Sequence, residues 1–203
     1  MLIQGEAVPG QKLQYQDVAD KFNVSRTPAK EALQMMCNEG YLELRPNKGF
    51  YVAAIRPEEL EELYAVRIAL EMAAVKDAIE KQDADSLKKL LEAIELHAND
   101  SEMPLTHRRL IADTNVHLAI AEMSKNRFVY EFLQTVFCKL YITIKVENLS
   151  KVRGKASKRE HRAIYDAIAS KNIALAKNRL QKHLVASMKN DMSAQAALFA
   201  NSK

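Results

Sequence analysis

Four titratable side chains interrupt otherwise apolar helical stripes in the C-terminal part of the chain. Asp113 and His117 are spaced i, i+4, which places both side chains on one face of a helix. His161 and His183 lie on two further stripes, each among apolar residues at helical spacing. We therefore expect three helices to direct one carboxylate and three imidazoles toward a common core.

This residue set has the chemistry of a divalent-metal site. A buried Asp or His without a partner costs about 1 to 3 kcal/mol or more, so such groups must satisfy one another or bind something. Carboxylate and imidazole ligands suit Zn, Ni, Mn or Fe. A single histidine of this kind is more often a core residue with an internal partner, but the four groups together favour a metal site. His97 and His107 fall near helix ends beside loops, and we interpret both as structural.

The sequence leaves two interpretations of Arg67 open. Arg67 lies at helical spacing with Leu63 and Leu70, so its guanidinium could clamp the carboxylate of a small effector that completes the coordination of the metal. Alternatively, Arg67 forms an i, i+4 ion pair with Glu71.

The elements that must position these residues are helices. After Pro57 the chain shows helical periodicity only, which predicts a mainly α protein with a C-terminal antiparallel helical bundle. The apolar stripes predict about six helices, at 57–81, 85–98, 106–122, 127–148, 157–170 and 173–192, with loops at Asn99–Pro104 and Leu149–Ala156. The bundle would span 57–192, and the Ala-rich segment 193–203 is expected to be a fraying tail.

The first 55 residues follow a different pattern, that of a winged helix-turn-helix. Gln14–Phe22 predicts a short scaffold helix, and a second helix begins after Ser25, a good N-cap, and runs to about Asn38. Tyr41–Leu44 and Gly49–Ala53 alternate as two strands of a hairpin. Pro57 suits the first turn of the next helix, so we place the domain boundary just before it.

This module presents polar and basic residues where a helix-turn-helix meets DNA. Its second helix enters the major groove, and the wing follows the backbone toward a neighbouring groove. The candidate DNA-contacting residues are Ser25, Arg26, Thr27 and Lys30 on the second helix and Arg45, Asn47, Lys48 and Gly49 in the wing. Isolated basic pairs are more often solvated surface, so the ordered pattern of elements carries more weight than the charges alone.

The composition is that of a helix-rich globular protein. Of 203 residues 48% are hydrophobic and 28% charged, and only 5 Gly and 5 Pro argue against a turn-rich β fold. No apolar run approaches the roughly 20 residues of a membrane helix, and the N-terminus lacks a signal-peptide pattern, so we expect a cytoplasmic protein without a membrane partner. A net charge of +4 permits polyanion binding without indicating it. Cys37 and Cys138 have no metal-ligand spacing and are expected to be reduced.

The N-terminal part contains a series of short motifs, namely Pro9-Gly10-x-x-Leu13, Asp17-Val18-Ala19, Val24-Ser25-Arg26-Thr27-Pro28-x-x-Glu31-Ala32-Leu33, Glu39-Gly40 and Pro46-Asn47-Lys48-Gly49-Phe50-x-Val52. Together these motifs resemble the GntR family of bacterial repressors. The resemblance implies a homodimer that binds a pseudo-palindromic double-stranded DNA operator. Lys30 stands where the family usually has Arg, which affects a bidentate base contact. The family also begins with a helix of about three turns, for which only Met1–Gly5 remains, so we expect that first helix to be nearly missing.

The C-terminal part contains a second series of motifs, namely Arg67-x-x-Leu70-Glu71-x-Ala73-Ala74, Asp113-x-x-x-His117 followed by Asn126, Glu160-His161-x-x-Ile164-x-x-Ala167-Ile168, and His183-Leu184. Together these motifs resemble the FCD effector domain of FadR-type GntR regulators. In the metal-binding members the matching Asp and three His hold the ion, which implies the same role here for Asp113, His117, His161 and His183. Val116 replaces the Phe common before the first His, which we interpret as a packing change.

These features indicate a transcription regulator that senses a small carboxylate through a divalent metal. A metal-dependent hydrolase is one alternative, because open metal positions also activate water. No convincing general base accompanies the site, since Glu160 points about 100° away from His161 on a helix. The other alternative is a purely structural metal in a constitutive DNA binder.

Overall fold

A computed structural model describes residues 7–100, 107–143 and 151–200 of the chain. Within these ranges it is mainly helical, with a small N-terminal sheet followed by a helical bundle, which confirms the predicted fold class. The predicted near absence of a first helix concerns Met1–Gly5, which lie outside the described residues.

The N-terminal module combines two short helices with a three-stranded antiparallel sheet in the order β1-β3-β2. Its elements are β1 (Lys12–Leu13), α1 (Tyr15–Phe22), α2 (Arg26–Asn38), β2 (Leu42–Arg45) and β3 (Gly49–Val52). The sequence pattern missed β1, because a strand of two residues is too short to show an alternation.

The turns of this module depend on residues in left-handed backbone conformations. Asn23 ends α1 at φ 53°, and Asn47 and Gly49 shape the wing turn at φ 59° and 96°. Ser25 occupies the N-cap position of α2 as predicted, but its side chain makes no capping hydrogen bond there. The apolar core of the module includes Ala29 and Leu33 of α2, which leaves the opposite face of that helix exposed.

The C-terminal bundle consists of longer helices, and most of their bounds lie within two residues of the predicted ones, except at the start of α7 and the end of α8. They are α3 (Pro57–Lys81), α4 (Ala84–Asp100), α5 (His107–Met123), α6 (Arg127–Thr143), α7 (Lys151–Ala169) and α8 (Ile173–Ala200). Pro57 begins α3, where its missing N–H is no loss, and the Arg56 N–H donates to Oε2 of Glu59 at 2.9 Å.

The predicted loop at Leu149–Ala156 is wrong from Lys151 onward, where the chain is already helical. Gly154, which lies inside this helix, serves packing: a Cβ at Gly154 would lie 0.8 Å from Nη2 of Arg109. The absence of a side chain therefore lets Arg109 of α5 lie against α7. The predicted helix at 144–148, the residues 149–150 and the loop residues 101–104 lie outside the described residues.

The predicted fraying tail is also wrong for residues 193–200, because α8 continues to Ala200. Ala194 and Gln195 are buried, and Nε2 of Gln195 donates to the backbone oxygen of Ile55 at 2.7 Å. Alanine-rich composition does not by itself indicate fraying when one face of the helix packs against the linker that leads into α3.

Helix α3 contributes to both apolar clusters of the bundle. One cluster contains Leu60 and Tyr64 of α3 with residues of α6, and the other contains Val75 and Ile79 of α3 with residues of α4, α5, α7 and α8. Within the described ranges, no helix combines the length and the apolar character needed to cross a membrane.

We expect Leu180→Ala to destabilise the protein by about 2 to 5 kcal/mol, because it removes a side chain that is 0% exposed and leaves a cavity in the second cluster. Urea unfolding of the full chain, followed by circular dichroism, measures the change. Leu175→Ala in the same helix is the control, since this side chain is 37% exposed and should cost under about 1 kcal/mol. Equal losses from the two variants would contradict the packing described.

Candidate metal centre

Helices α5, α7 and α8 bring the four sequence-predicted residues together. The Nε2 atoms of His117, His161 and His183 form a triangle with sides of 3.2, 3.3 and 3.4 Å. Oδ2 of Asp113 lies 3.7 Å from Nε2 of His117, and Oδ1 lies 3.7 Å from Nε2 of His161. One ligand atom from each of the four residues can be chosen so that all lie within 4.8 Å of one another.

These separations fit a metal ion surrounded by the four side chains. A Zn–N bond of about 2.0 to 2.1 Å in a tetrahedral site separates neighbouring ligand atoms by about 3.3 to 3.4 Å. The histidine side chains are at most 1% exposed, whereas that of Asp113 is 26% exposed. The centre is therefore closed by imidazoles on one side and reaches solvent beside the carboxylate.

Two glutamates orient the histidines from behind. Oε2 of Glu71 on α3 lies 2.6 Å from Nδ1 of His117, and Oε2 of Glu160 on α7 lies 2.7 Å from Nδ1 of His183. A carboxylate accepts only, so the Nδ1 of each of these two histidines carries a proton, and Nε2 is the nitrogen that can serve as a ligand. The two Nε2 atoms lie 3.2 Å apart, so a cation between them would be bound by both.

The sequence pattern did not indicate the orienting role of either glutamate. Spacing along α3 places Glu71 beside Arg67, and spacing along α7 turns Glu160 away from His161. Neither spacing predicts the contact of Glu71 with His117 or that of Glu160 with His183. No spacing within one helix signals these contacts, because each joins residues on different helices.

The protonation of the histidines also suits ligand binding. Burial, together with the neighbouring His183, holds the pKa of His161 well below its usual value. Burial lowers the pKa of His183 to about 4, against the opposing effect of Glu160. Burial would raise the pKa of Asp113, but the surrounding imidazoles, His161 first, hold it well below its usual range. At neutral pH the imidazoles of His161 and His183 are therefore uncharged and lie beside the ionised carboxylate of Asp113.

In the structure Arg67 forms the ion pair with Glu71, which is the second of the two interpretations given by the sequence. One nitrogen of its guanidinium takes no part in this pair. Nε of Arg67 donates to Oε1 of Glu71 at 2.8 Å, and the two side chains are 4% and 2% exposed. Burial would raise the pKa of Glu71, but contacts with His117 and Arg67 lower it to about 2. Nη2 of Arg67 is buried and has no hydrogen-bond partner among the described residues.

His97 lies closer to the centre than its place near a helix end suggested. Its Nε2 is 3.6 Å from Oδ1 of Asp113, and its ring is 5.0 Å from that of His161. The hydroxyl of Ser157 donates to the same Oδ1 at 2.9 Å. His97 and Ser157 thus support Asp113 from behind. The side chain of His107 lies outside the described residues.

The candidate DNA-contacting residues occupy the exposed start of α2 and the tip of the wing. On α2 the side chains of Ser25, Arg26, Thr27 and Lys30 are exposed, as are those of Arg45, Asn47 and Lys48 in the wing, and Gly49 is half-buried. Arg26 is held by a hydrogen bond to Gln16 of α1. Arg45 pairs with Glu43 at 3.1 Å and lies over the Tyr51 ring, so it is the most constrained wing cation of the set.

We expect Arg67→Met to cost about 3 to 5 kcal/mol of stability, because it leaves the buried Glu71 carboxylate without its cationic partner. Urea unfolding measures the loss. Arg162→Met is the matched control: it breaks another i, i+4 pair, with Asp166, in which both side chains are 56% exposed, and should cost about 0 to 1 kcal/mol. If the two substitutions were equally tolerated, the pairing of Arg67 would not be a buried one.

Comparison with known proteins identifies both parts of the chain. Residues 1–52 match the family described as "Bacterial regulatory proteins, gntR family", and residues 62–186 match the FCD domain. Two regulators of Bacillus subtilis are similar over most of their length: the uncharacterized YdhC is 27% identical over 90% of this chain and 82% of its own, and LutR is 28% identical over 91% and 93%.

Solved structures share the fold. Escherichia coli McbR/YncC superposes with a TM-score of 0.82 at 19% identity, covering 98% of this chain and 92% of its own. A GntR regulator from Rhodococcus superposes with a TM-score of 0.80 at 23% identity, covering 95% and 92%. The relatives and both domains are those of transcription regulators and not of enzymes. The chain belongs to the GntR family of bacterial transcription regulators, with a DNA-binding helix-turn-helix domain followed by an FCD effector domain.

Proposed function

We propose that this regulator binds one divalent metal ion in its effector domain and responds to a small carboxylate that completes the coordination of that ion. The observation that carries the proposal is the triangle of histidine Nε2 atoms at 3.2 to 3.4 Å beside Asp113. Asp113, His117, His161 and His183 would hold Zn, Ni, Mn or Fe. A bound ion would supply a Lewis-acid centre for an anionic effector.

Two features support a carboxylate as the effector. The partly exposed side of the centre lies at Asp113, where a ligand can approach. The buried Nη2 of Arg67 has no partner among the described residues, although a buried N–H group is normally satisfied. A carboxylate oxygen is a suitable acceptor, and a guanidinium suits it in geometry as well as in charge.

The response would reach DNA through a change in a homodimer. We propose that two N-terminal modules read the halves of a pseudo-palindromic operator, with Arg26, Thr27 and Lys30 at the major groove and the wing at the backbone. Effector binding would shift the population between two arrangements of these modules and so change operator affinity. The exposure of these side chains supports the assignment.

The metal assignment predicts that the purified full chain carries one ion. His161→Ala should abolish equimolar binding, because it removes one of the three imidazole nitrogens that surround the ion. Elemental analysis and calorimetric titration with Zn²⁺ measure both. His97→Ala is the matched control, since this histidine is equally buried at 1% exposed but contacts Asp113 from outside the triangle. That variant should still bind one ion. An ion retained by His161→Ala would refute the assignment.

The DNA assignment predicts that Arg26→Ala weakens binding to a selected operator by about 1 to 3 kcal/mol if Arg26 contacts a guanine edge. The operator is first obtained by selection from random duplexes, and affinity is measured by fluorescence anisotropy at fixed salt. Lys88→Ala, which removes one exposed positive charge from α4, controls for net charge. Equal affinities of these two variants would remove Arg26 from the interface.

A thermal-shift screen of the metal-loaded protein against small carboxylates, sugar acids and acyl compounds tests the effector class. A carboxylate that raises the melting temperature and changes operator affinity supports the proposal. If none of the compounds that raise the melting temperature changed the operator affinity, the result would instead favour a structural metal in a constitutive DNA binder.

A further inference from the structure

A continuous series of buried and partly buried hydrogen bonds leads away from the metal centre. Nδ1 of His117 lies 2.6 Å from Oε2 of Glu71, whose Oε1 accepts from Nε of Arg67 at 2.8 Å. Nη1 of Arg67 donates to the hydroxyl of Tyr64 at 3.4 Å, and this hydroxyl donates to Oδ2 of Asp191 at 2.5 Å. The series therefore crosses from α5 through α3 to α8.

Helix α8, which contains Asp191, also contacts the junction of the two domains. Asp191 and Gln195 are spaced i, i+4 and so share a face of α8. Nε2 of Gln195 donates to the backbone oxygen of Ile55 at 2.7 Å. Ile55 is 7% exposed and lies between β3, the last strand of the N-terminal module, and Pro57, the first residue of α3.

Each member of the series has a fixed donor or acceptor role. Glu71 accepts on both oxygens, Arg67 donates in two directions, and the single proton of Tyr64 goes to Asp191. Buried groups of this kind keep their partners because an unmade bond is costly where water is excluded. A displacement of the His117 ring therefore requires Glu71 and Arg67 to follow.

We infer that Tyr64, Asp191 and Gln195 couple the state of the metal centre to the linker at Ile55. The inference rests on the proposed metal site, because the coupling begins at that site and ends at the DNA-binding module. Tyr64 and Gln195 act in it as positioning residues: Tyr64 holds Arg67 and Asp191, and Gln195 holds the backbone where the two domains meet.

Hydrogen–deuterium exchange on the full chain, with and without Zn²⁺, tests the coupling at both ends. In the wild type, Zn²⁺ is expected to slow exchange around His117 and His161 and also in the linker segment 53–60, there by about 5-fold or more. Tyr64→Phe removes only the hydroxyl, and Gln195→Met removes the donor at similar volume. Both variants should keep the slowing at the metal centre and lose it at the linker.

Ser193→Ala is the matched control on α8, because this exposed hydroxyl donates only within its own helix, to the oxygen of Lys189. It should preserve the Zn²⁺ effect at both places. The double variant Tyr64→Phe/Gln195→Met should lose no more of the linker effect than either single one, as expected for two residues on one route.

The outcomes separate the two proposals. Absence of any Zn²⁺ effect around His117 and His161 would contradict the proposed metal site. A Zn²⁺ effect at the metal centre that never reaches the linker in the wild type, or that reaches it unchanged in both Tyr64→Phe and Gln195→Met, would overturn the coupling and leave the metal site standing.

Discussion

Three buried imidazoles and one carboxylate converge on one small space inside the bundle. Glu71 and Glu160 contact the outer nitrogens of His117 and His183, so the inner Nε2 atoms of these two histidines face each other at 3.2 Å. Nitrogen atoms held this close are suited to share a cation. The rest of the bundle is organised around this constraint, since α3, α4, α5, α7 and α8 supply the candidate ligand atoms and the side chains that support them.

The surrounding charges are balanced inside the protein. Arg67 compensates Glu71, and Arg153 donates to Glu160 at 2.7 Å while another of its nitrogens reaches Ser187 at 2.9 Å. On α3, Arg67 and Glu71 lie along the helix between Tyr64 of one apolar cluster and Val75 of the other. Removing one charge from a buried pair is costly because its partner stays buried.

The N-terminal module has its own small core, and the described residues show polar contacts between it and the bundle. Besides the bond from Gln195 to Ile55, Nζ of Lys139 on α6 donates to the oxygen of Glu39 at 3.0 Å, beside the end of α2. Contacts of this kind hold one domain orientation while leaving others accessible at modest cost. A regulator needs such a junction, because an effector can shift only an equilibrium whose states differ little in free energy.

The fold class, the bounds of most helices to within a few residues and the four candidate ligands could be predicted from the sequence. Helical periodicity and an i, i+4 pair are local properties, so Asp113 and His117 could be placed on one inward face from spacing alone. The sequence could not show which groups lie behind the candidate ligands, which nitrogen of Arg67 has no partner among the described residues, or that α8 contacts the linker. Most of these features depend on contacts between helices far apart in sequence. The same holds for the start of α7, where Arg109 of α5 packs against Gly154 in a segment with the local pattern of a loop.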